Sequence, residues 1–175
     1  MSVDGRYWII FNGEIYNFKV IKGKLENLGY TFFSDTDTEV ILNAYKEWGK
    51  NCFTKFNGMW ALCILDKQTK TLLFSRDRYG VKPFYYYLNA NRLIFSSEIK
   101  GIFSSDENLL IDPTKAFADP KELEGNFSTI YKNVKILPPG TNFWINLENF
   151  KIKKKRWWIG FNNTPSISPN IRNIQ

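Results

Sequence analysis

Along the chain the spacing of apolar residues changes period several times, and each change marks an element. Residues 7–11 are an aromatic and β-branched run behind the turn dipeptide Asp4-Gly5, which predicts a strand. A hairpin turn needs a strand on both sides, and only three residues precede this one. Two readings stay open: a partner strand that has been cut away or lies on another chain, or a polar tail. From Asn17 the apolar positions Phe18, Ile21, Leu25 and Leu28 fall on one helical face, with Asn17 as cap and Gly29 as stop. A second helix is predicted from the capping box Thr36-Asp37-Thr38-Glu39 through Val40, Ile41, Ala44, Tyr45 and Trp48 to Gly49. Residues 60–65 are apolar at every position, the pattern of a strand covered on both faces.

Further strands are predicted over residues 71–75, 84–88, 92–96, 143–147 and 150–155, and a short helix over 97–103. Asn89-Ala90-Asn91 joins two of these strands into a hairpin, and Pro138-Pro139-Gly140 punctuates the approach to the last pair. Residues 160–175 carry Asn, Ser and Pro with little periodicity and read as a linker or tail. Doubly covered antiparallel strands, with helices grouped early, predict one layered α+β domain over residues 1–159 with helices on the outer sides of its sheets.

Composition supports a real core: 43% of the 175 residues are hydrophobic and 17% aromatic. The two cysteines, Cys52 and Cys63, are too few for a disulfide framework and are read as packing residues. There is no leader-like opening and no apolar stretch near the roughly 20 residues of a membrane span, so a cytoplasmic protein with no membrane partner is expected. The formal charge of +7 is mostly spread singly, except for Lys151, Lys153, Lys154, Lys155 and Arg156 before Trp157 and Trp158. That composition suits single-strand binders, but no nucleic-acid motif accompanies it. It reads as a polar strand end near a domain boundary, and no nucleic acid is expected as a partner. The absence of histidine removes Ser-His-Asp and Cys-His catalysis, and with two distant cysteines it leaves no zinc-type cluster. Any catalysis needs another base.

The most unusual local feature is Asn12-Gly13-Glu14, a polar set placed between a buried strand and a capped helix. Gly13 permits close approach of a ligand to the backbone, the Asn12 amide and Gly13 N–H suit an oxyanion, and Glu14 suits an amine. The same residues also make an ordinary turn. Asp37, in the first turn of the second helix, lies beside free backbone N–H groups.

Six motifs in order change that balance: Phe11-Asn12-Gly13-Glu14-Ile15-Tyr16-Asn17, Thr36-Asp37-Thr38-Glu39-Val40, Phe56-Asn57-Gly58-Met59-Trp60-Ala61, Arg76-Asp77-Arg78-Tyr79-Gly80-Val81-Lys82-Pro83, Phe95-Ser96-Ser97-Glu98-Ile99-Lys100 and Leu137-Pro138-Pro139-Gly140. Over residues 4–158 the chain resembles the class II glutamine amidotransferase domains, and looks most like those of the glutamine-hydrolysing asparagine synthetases. The resemblance implies the N-terminal-nucleophile hydrolase fold, a four-layer αββα sandwich of antiparallel sheets, here incomplete. It implies attack by an N-terminal cysteine thiolate on the side-chain amide of glutamine, with the cysteine's own α-amine as base and ammonia leaving from a thioester.

Asn12 and Gly13 then correspond to the oxyanion hole, and Glu14 and Asp37 to the groups that hold the substrate's α-amino end. For Asp37 a favourable charge at a helix start is the other reading, and both hold together. Arg76, Asp77 and Lys82 fall in a loop read as structural, because Gly80 and Pro83 shape a turn. No cofactor or metal is expected in this chain; ATP and magnesium belong to the synthetase domain that the resemblance implies. The expected partners are glutamine and a synthetase domain or subunit, with a homodimer as a further outcome.

The departures from the pattern carry equal weight. Members of the family begin Met-Cys-Gly, whereas this chain begins Met1-Ser2-Val3-Asp4. Ser2 is misplaced and a poorer nucleophile than a thiolate. The expectation is therefore a glutaminase-domain portion of an asparagine-synthetase-like ligase, inactive alone. A non-catalytic glutamine-binding or assembly remnant, or an amidotransferase for another acceptor, is the alternative. Residues 116–127 also differ from the longer helix usual in the family.

Overall fold

The computed structural model describes residues 1–89, 92–105 and 109–159. In chain order the elements are β1 (Tyr7–Ile15), α1 (Phe18–Glu26), α2 (Asp37–Trp48), a 3-10 turn (Gly49–Lys55), β2 (Gly58–Asp66), β3 (Thr71–Arg76), β4 (Tyr85–Leu88), β5 (Leu93–Ser96), α3 (Ile99–Phe103), α4 (Pro120–Gly125), β6 (Val134–Ile136), β7 (Thr141–Asn146) and β8 (Ile152–Arg156). They form two antiparallel sheets, ordered β1-β2-β3-β7-β8 and β5-β4-β6.

Strand alternation sorts the core into two compartments. On the outer face of the larger sheet, Ile9, Phe11, Ile15, Trp60, Leu62, Ile64 and Leu73 meet Ile21 and Leu25 of α1 and Val40, Ile41 and Ala44 of α2. On its inner face Ala61, Cys63, Phe74, Phe143 and Ile145 meet Phe84, Tyr86 and Phe95 of the smaller sheet. Phe74 is the hub there, with ring centroids 5.0, 5.5 and 5.6 Å from Phe95, Phe84 and Phe143. The layer order is helix, sheet, sheet, with the single-turn α3 standing against β4 and β5. This is the expected sandwich of antiparallel sheets. No described helix is long and apolar enough to cross a membrane.

The second helix forms as its capping box predicts: Thr36 Oγ1 accepts from Glu39 N, and Gly49 ends the helix at φ 53°. The Glu39 carboxylate accepts from the amides of Phe33 and Ser34, so it anchors the incoming loop instead of returning to the cap. The first helix is shorter than predicted. It ends at Glu26, and Leu28 lies exposed beyond it. Asn17 occupies the cap position, but its side chain turns away: Oδ1 accepts from Asn57 N at 2.8 Å and Nδ2 donates to Lys55 O at 3.0 Å. The amide ties the start of α1 to the start of β2.

The Asp4-Gly5 turn is real. Gly5, at φ 69°, lets Gly5 N donate to Ser2 O, and Ser2 folds back to Tyr7. The basic run forms edge strand β8, with all five residues exposed. Trp157 then returns to the core, its ring stacked on Trp60 at 5.5 Å and 11°. Sequence periodicity missed β6, which has three residues, and α4, capped by the Asp119 carboxylate accepting from Lys121 N. The latter lies in residues 116–127, where a departure from the family pattern was expected. The connection at Ala90 and Asn91 and the tail at 160–175 lie outside the described residues.

Candidate functional site

Asn12, Gly13 and Glu14 do not sit in a strand-to-helix junction, as sequence suggested; they are the last part of β1, which runs on to Ile15. That placement decides where each group points. Asn12 and Glu14 share one face of the strand, and Gly13 belongs to the other. Both Asn12 and Glu14 are exposed.

The backbone phase follows from the ends of the ladder. Lys67 N donates to Arg6 O at 3.0 Å and Tyr16 N donates to Asn57 O at 2.8 Å, which makes the even-numbered residues of β1 the ones bonded to β2. Trp60, opposite Gly13, confirms this: its N–H and C=O both go to Asp77 on the far side of β2. The odd-numbered N–H groups therefore point away from β2, out of the free edge of the sheet. Tyr7 N meets Ser2 Oγ at 2.9 Å there and Ile15 N meets Asp37 Oδ2 at 3.0 Å, both on the outward side. The Gly13 N–H points out of the same edge between them.

Gly13 is required for a second reason. A Cβ at this position would stand 2.2 Å from Met59 O and 2.7 Å from Trp60 Cα. Gly58 is its counterpart on β2, where a Cβ would meet Glu14 O at 2.1 Å. The two strands approach closely at the site because neither glycine carries a side chain. Gly58 was quoted only as part of a motif; its contact with β1 is visible only once the register is known.

On the inner face the Asn12 Nδ2 donates to Ser97 Oγ at 3.1 Å, a link across 85 residues that no local pattern announces. One amide hydrogen and the carbonyl oxygen of Asn12 have no partner among the described residues. Beside it a cleft of about 210 Å³ opens between the sheets, lined by Ile10, Asn12, Cys63, Phe84, Phe95 and Ser97 among others. Glu14 lies further along the same face, with no side-chain partner among the described residues.

Asp37 comes to the site from the opposite layer. As the first residue of α2 it reaches the rim of β1, where one carboxylate oxygen accepts from Ile15 N and the other has no partner among the described residues. The fold thus brings Asn12, Gly13, Glu14 and Asp37 to one stretch of edge: a side-chain amide, an outward backbone N–H and two carboxylates. Such a set offers hydrogen-bond donors to a developing oxyanion and a negative end to an ammonium group.

The other polar residues singled out in sequence are structural. Asp77, 1% exposed, accepts from the amides of Trp60, Tyr79, Val81 and Lys82 at 3.0–3.2 Å. Arg76 donates at 2.7 Å to the carbonyls of Gly80, Lys82 and Leu137, and burial pushes its pKa down. Ser2 donates to Asp4 Oδ1 at 2.6 Å while accepting from Tyr7 N, so its hydroxyl is committed to the turn. Cys52 and Cys63 are buried, and burial raises both thiols, Cys63 to about 12. Neither resembles a reactive thiolate. Among the described residues no group of three or more His, Cys, Asp or Glu is placed to hold a metal.

Residues 1–158 match the glutamine amidotransferase domain family. The chain is 41% identical over 155 residues to a Methanocaldococcus jannaschii protein provisionally named asparagine synthetase (glutamine-hydrolyzing) 2, covering 86% of this chain and 29% of that one. It is 38% identical over 146 residues to asparagine synthetase (glutamine-hydrolyzing) 1 of Bacillus subtilis, covering 81% and 23%. The chain thus spans less than a third of the length of these relatives. Its fold is similar to that of the glutamine phosphoribosylpyrophosphate amidotransferase of B. subtilis, with a TM-score of 0.63 at 21% identity, over 91% of this chain and 30% of that one. The ordered motifs, the two-sheet sandwich and the match over residues 1–158 agree, and the chain belongs to the glutamine amidotransferase domain family.

Proposed function

We propose that this chain supplies the glutamine-binding side of a glutaminase site in an asparagine-synthetase-like ligase. The observation that carries the reading is the phase of the β1–β2 ladder, which turns the Gly13 N–H outward beside the Asn12 amide and the Asp37 carboxylate. Glutamine fits this set at both ends. Its α-ammonium group is held by Glu14 and Asp37, and its side-chain amide carbonyl lies at the corner between the Asn12 side chain and the Gly13 N–H.

When a thiolate adds to that carbonyl carbon, the electron pair moves onto the amide oxygen. Asn12 and Gly13 donate to the oxyanion, which is where charge develops in the transition state. The C–N bond then breaks, nitrogen takes a proton and leaves as ammonia, and water hydrolyses the thioester to glutamate. Both thiols of this chain are buried and raised in pKa, so the attacking thiolate comes from neither of them. The ammonia serves ATP-dependent amidation of aspartate by a synthetase domain or subunit, and ATP and magnesium enter only there.

The test measures glutamine binding by amide chemical shifts and, separately, release of ammonia and glutamate. Glutamine should perturb Gly13, Glu14 and Ile15, Glu14→Ala should weaken binding, and this chain alone should release no ammonia above background. Absence of any shift change at β1 would sink the site. Ammonia release that disappears in Asn12→Ala would show that another nucleophile serves it.

A further inference from the structure

Two serines follow one another where β5 gives way to α3, and the fold uses them differently. Ser96 closes β5, and its Oγ accepts from Glu98 N at 3.2 Å. Helix α3 packs directly on it. A Cβ at Gly101 would stand 2.3 Å from Ser96 Oγ and 3.1 Å from Ser96 Cβ, so glycine at this position lets the helix come so close. Ser96 belongs to the bend. Ser97, half-buried, turns its hydroxyl to β1 instead, where Oγ accepts from Asn12 Nδ2 at 3.1 Å.

The backbone on both sides of Ser97 is held by packing. Phe95, two residues before it, places its ring 5.0 Å from Phe74 and 5.9 Å from Phe84. On α3, Ile102 is fully buried and Phe103 meets Tyr131 edge-on at 4.7 Å. The position of the Ser97 hydroxyl is therefore set by the core of the smaller sheet and by α3.

Asn12 has no such support of its own. It is exposed on β1, and a side-chain amide turns about its last bond between broad, roughly twofold minima. Half a revolution exchanges Nδ2 for Oδ1 and presents an acceptor where a donor stood. An acceptor at that place repels the amide oxygen of a bound glutamine, and repels an oxyanion more strongly. A hydrogen bond from Nδ2 to a fixed hydroxyl removes that freedom. Of the other side chains lining the cleft, only Cys63 and Ser96 carry a polar atom; the thiol bonds weakly, and Ser96 is engaged with Glu98 N.

We propose that Ser97 is a positioning residue of the glutamine site: it holds the Asn12 side-chain amide so that its second hydrogen stays available to the ligand's side-chain carbonyl and to the oxyanion formed from it. The inference rests on the glutamine reading given above and adds a residue that acts on the ligand only through Asn12. The bond spans 85 residues and joins the larger sheet to the end of β5 in the smaller one. The seating of one sheet on the other thus fixes where this donor stands.

Chemical-shift titration with glutamine tests this, on the parent chain, on Ser97→Ala, Asn12→Ala and Glu14→Ala, and on Ser97→Ala combined with each of the other two. Ser97→Ala should move the Asn12 side-chain amide resonances before any glutamine is added. It should weaken glutamine binding roughly three- to tenfold, the range of one neutral hydrogen bond. With Asn12→Ala already present, Ser97→Ala should change the affinity by less than about twofold, because the group it positions is gone. With Glu14→Ala present it should keep its full effect, because Glu14 holds the other end of the ligand. A serine that only supports the fold would lower the melting temperature and leave the affinity where it was.

Unchanged affinity in Ser97→Ala, with glutamine still weakened by Asn12→Ala and Glu14→Ala, overturns this inference alone. An equal loss with and without the Asn12 amide also overturns it, as do Asn12 resonances that Ser97→Ala leaves unmoved. If glutamine binds none of the chains, the parent included, the glutamine reading fails and the positioning role fails with it.

Discussion

Asp37 has a structural task in this fold and a proposed one in binding glutamine, and two substitutions separate them. Its carboxylate holds the Ile15 N–H at 3.0 Å and sits at the first position of α2, where negative charge is favourable. Asp37→Ala removes a charge-assisted bond worth about 1.5–3 kcal/mol and a helix-start charge worth about 0.3–1 kcal/mol. Asp37 is half-buried, so the lower part of the combined range applies, about 2 kcal/mol. For a chain of this size that lowers the melting temperature by roughly 4–8 °C. Asp37→Asn keeps an acceptor for Ile15 N and loses only the charge, so its cost should be about 1 kcal/mol or less.

Glutamine binding orders the two variants differently. On the proposed function the ammonium group of glutamine needs the charge, and losing a charge-assisted bond of about 1.5–3 kcal/mol should weaken binding roughly 10- to 100-fold in both variants. Thermal unfolding and calorimetric titration with glutamine, run on the same preparations, give the comparison. If Asp37→Asn binds glutamine with parental affinity, Asp37 is a structural clamp and the assignment of the substrate's amine to it is refuted.

Three further outcomes follow from other parts of the structure. Asp77→Ala strips four backbone amides of their acceptor in a site 1% exposed, so urea unfolding should show a loss of about 3–5 kcal/mol; a loss under about 1 kcal/mol would refute its role as the hub of this loop. Asp4 is held well below the usual carboxylate range, first by the Lys46 ammonium at 2.8 Å and then by the Ser2 hydroxyl. A folded pKa below the unfolded value of about 3.9 gives stability that is full above that pH and lost as pH falls through the folded pKa; Asp4→Asn should flatten stability against pH below about 4, and an unchanged slope would count against the pair. Cys52 and Cys63 should resist a thiol reagent in the native chain and react in denaturant, whereas fast native labelling of either would reopen it as a nucleophile.

The parts of the fold legible in sequence are those specified locally. The box at Thr36 to Glu39 and the stop at Gly49 mark α2 because capping is settled within a few residues. The unbroken apolar run in β2 announces a strand covered on both faces, and its central residues are buried. What sequence misread depends on distant partners. Asn17 is a good cap by type, yet its amide is drawn to Lys55 and Asn57, residues that reach it only through the β1–β2 register. The end of β1 looked like a turn because Asn-Gly is a turn dipeptide. The glycine serves instead to let two backbones approach, which depends on Met59 and Trp60. The candidate residues Asn12, Gly13 and Glu14 stood out locally and family resemblance gave them and Asp37 their expected roles; their disposition, with Asn12 and Glu14 on one face and the Gly13 N–H at the rim, needed the ladder's phase.

That phase also explains why the candidate site lies where it does. A backbone N–H that is to meet a ligand must be one the sheet does not use, and within a regular strand such groups exist only at an edge. An interior strand spends its donors on both neighbours, as Trp60 shows, bonded toward β3 and opposite Gly13. Placing the donor at Gly13 therefore requires β1 to keep an open edge there. The charged protection that guards β8 is excluded for the same reason, since lysines along β1 would crowd the ammonium end of the proposed ligand. The engaged groups at Ser2 and Asp37 bound the stretch of edge where the Gly13 N–H stands out of the ladder beside the Asn12 amide.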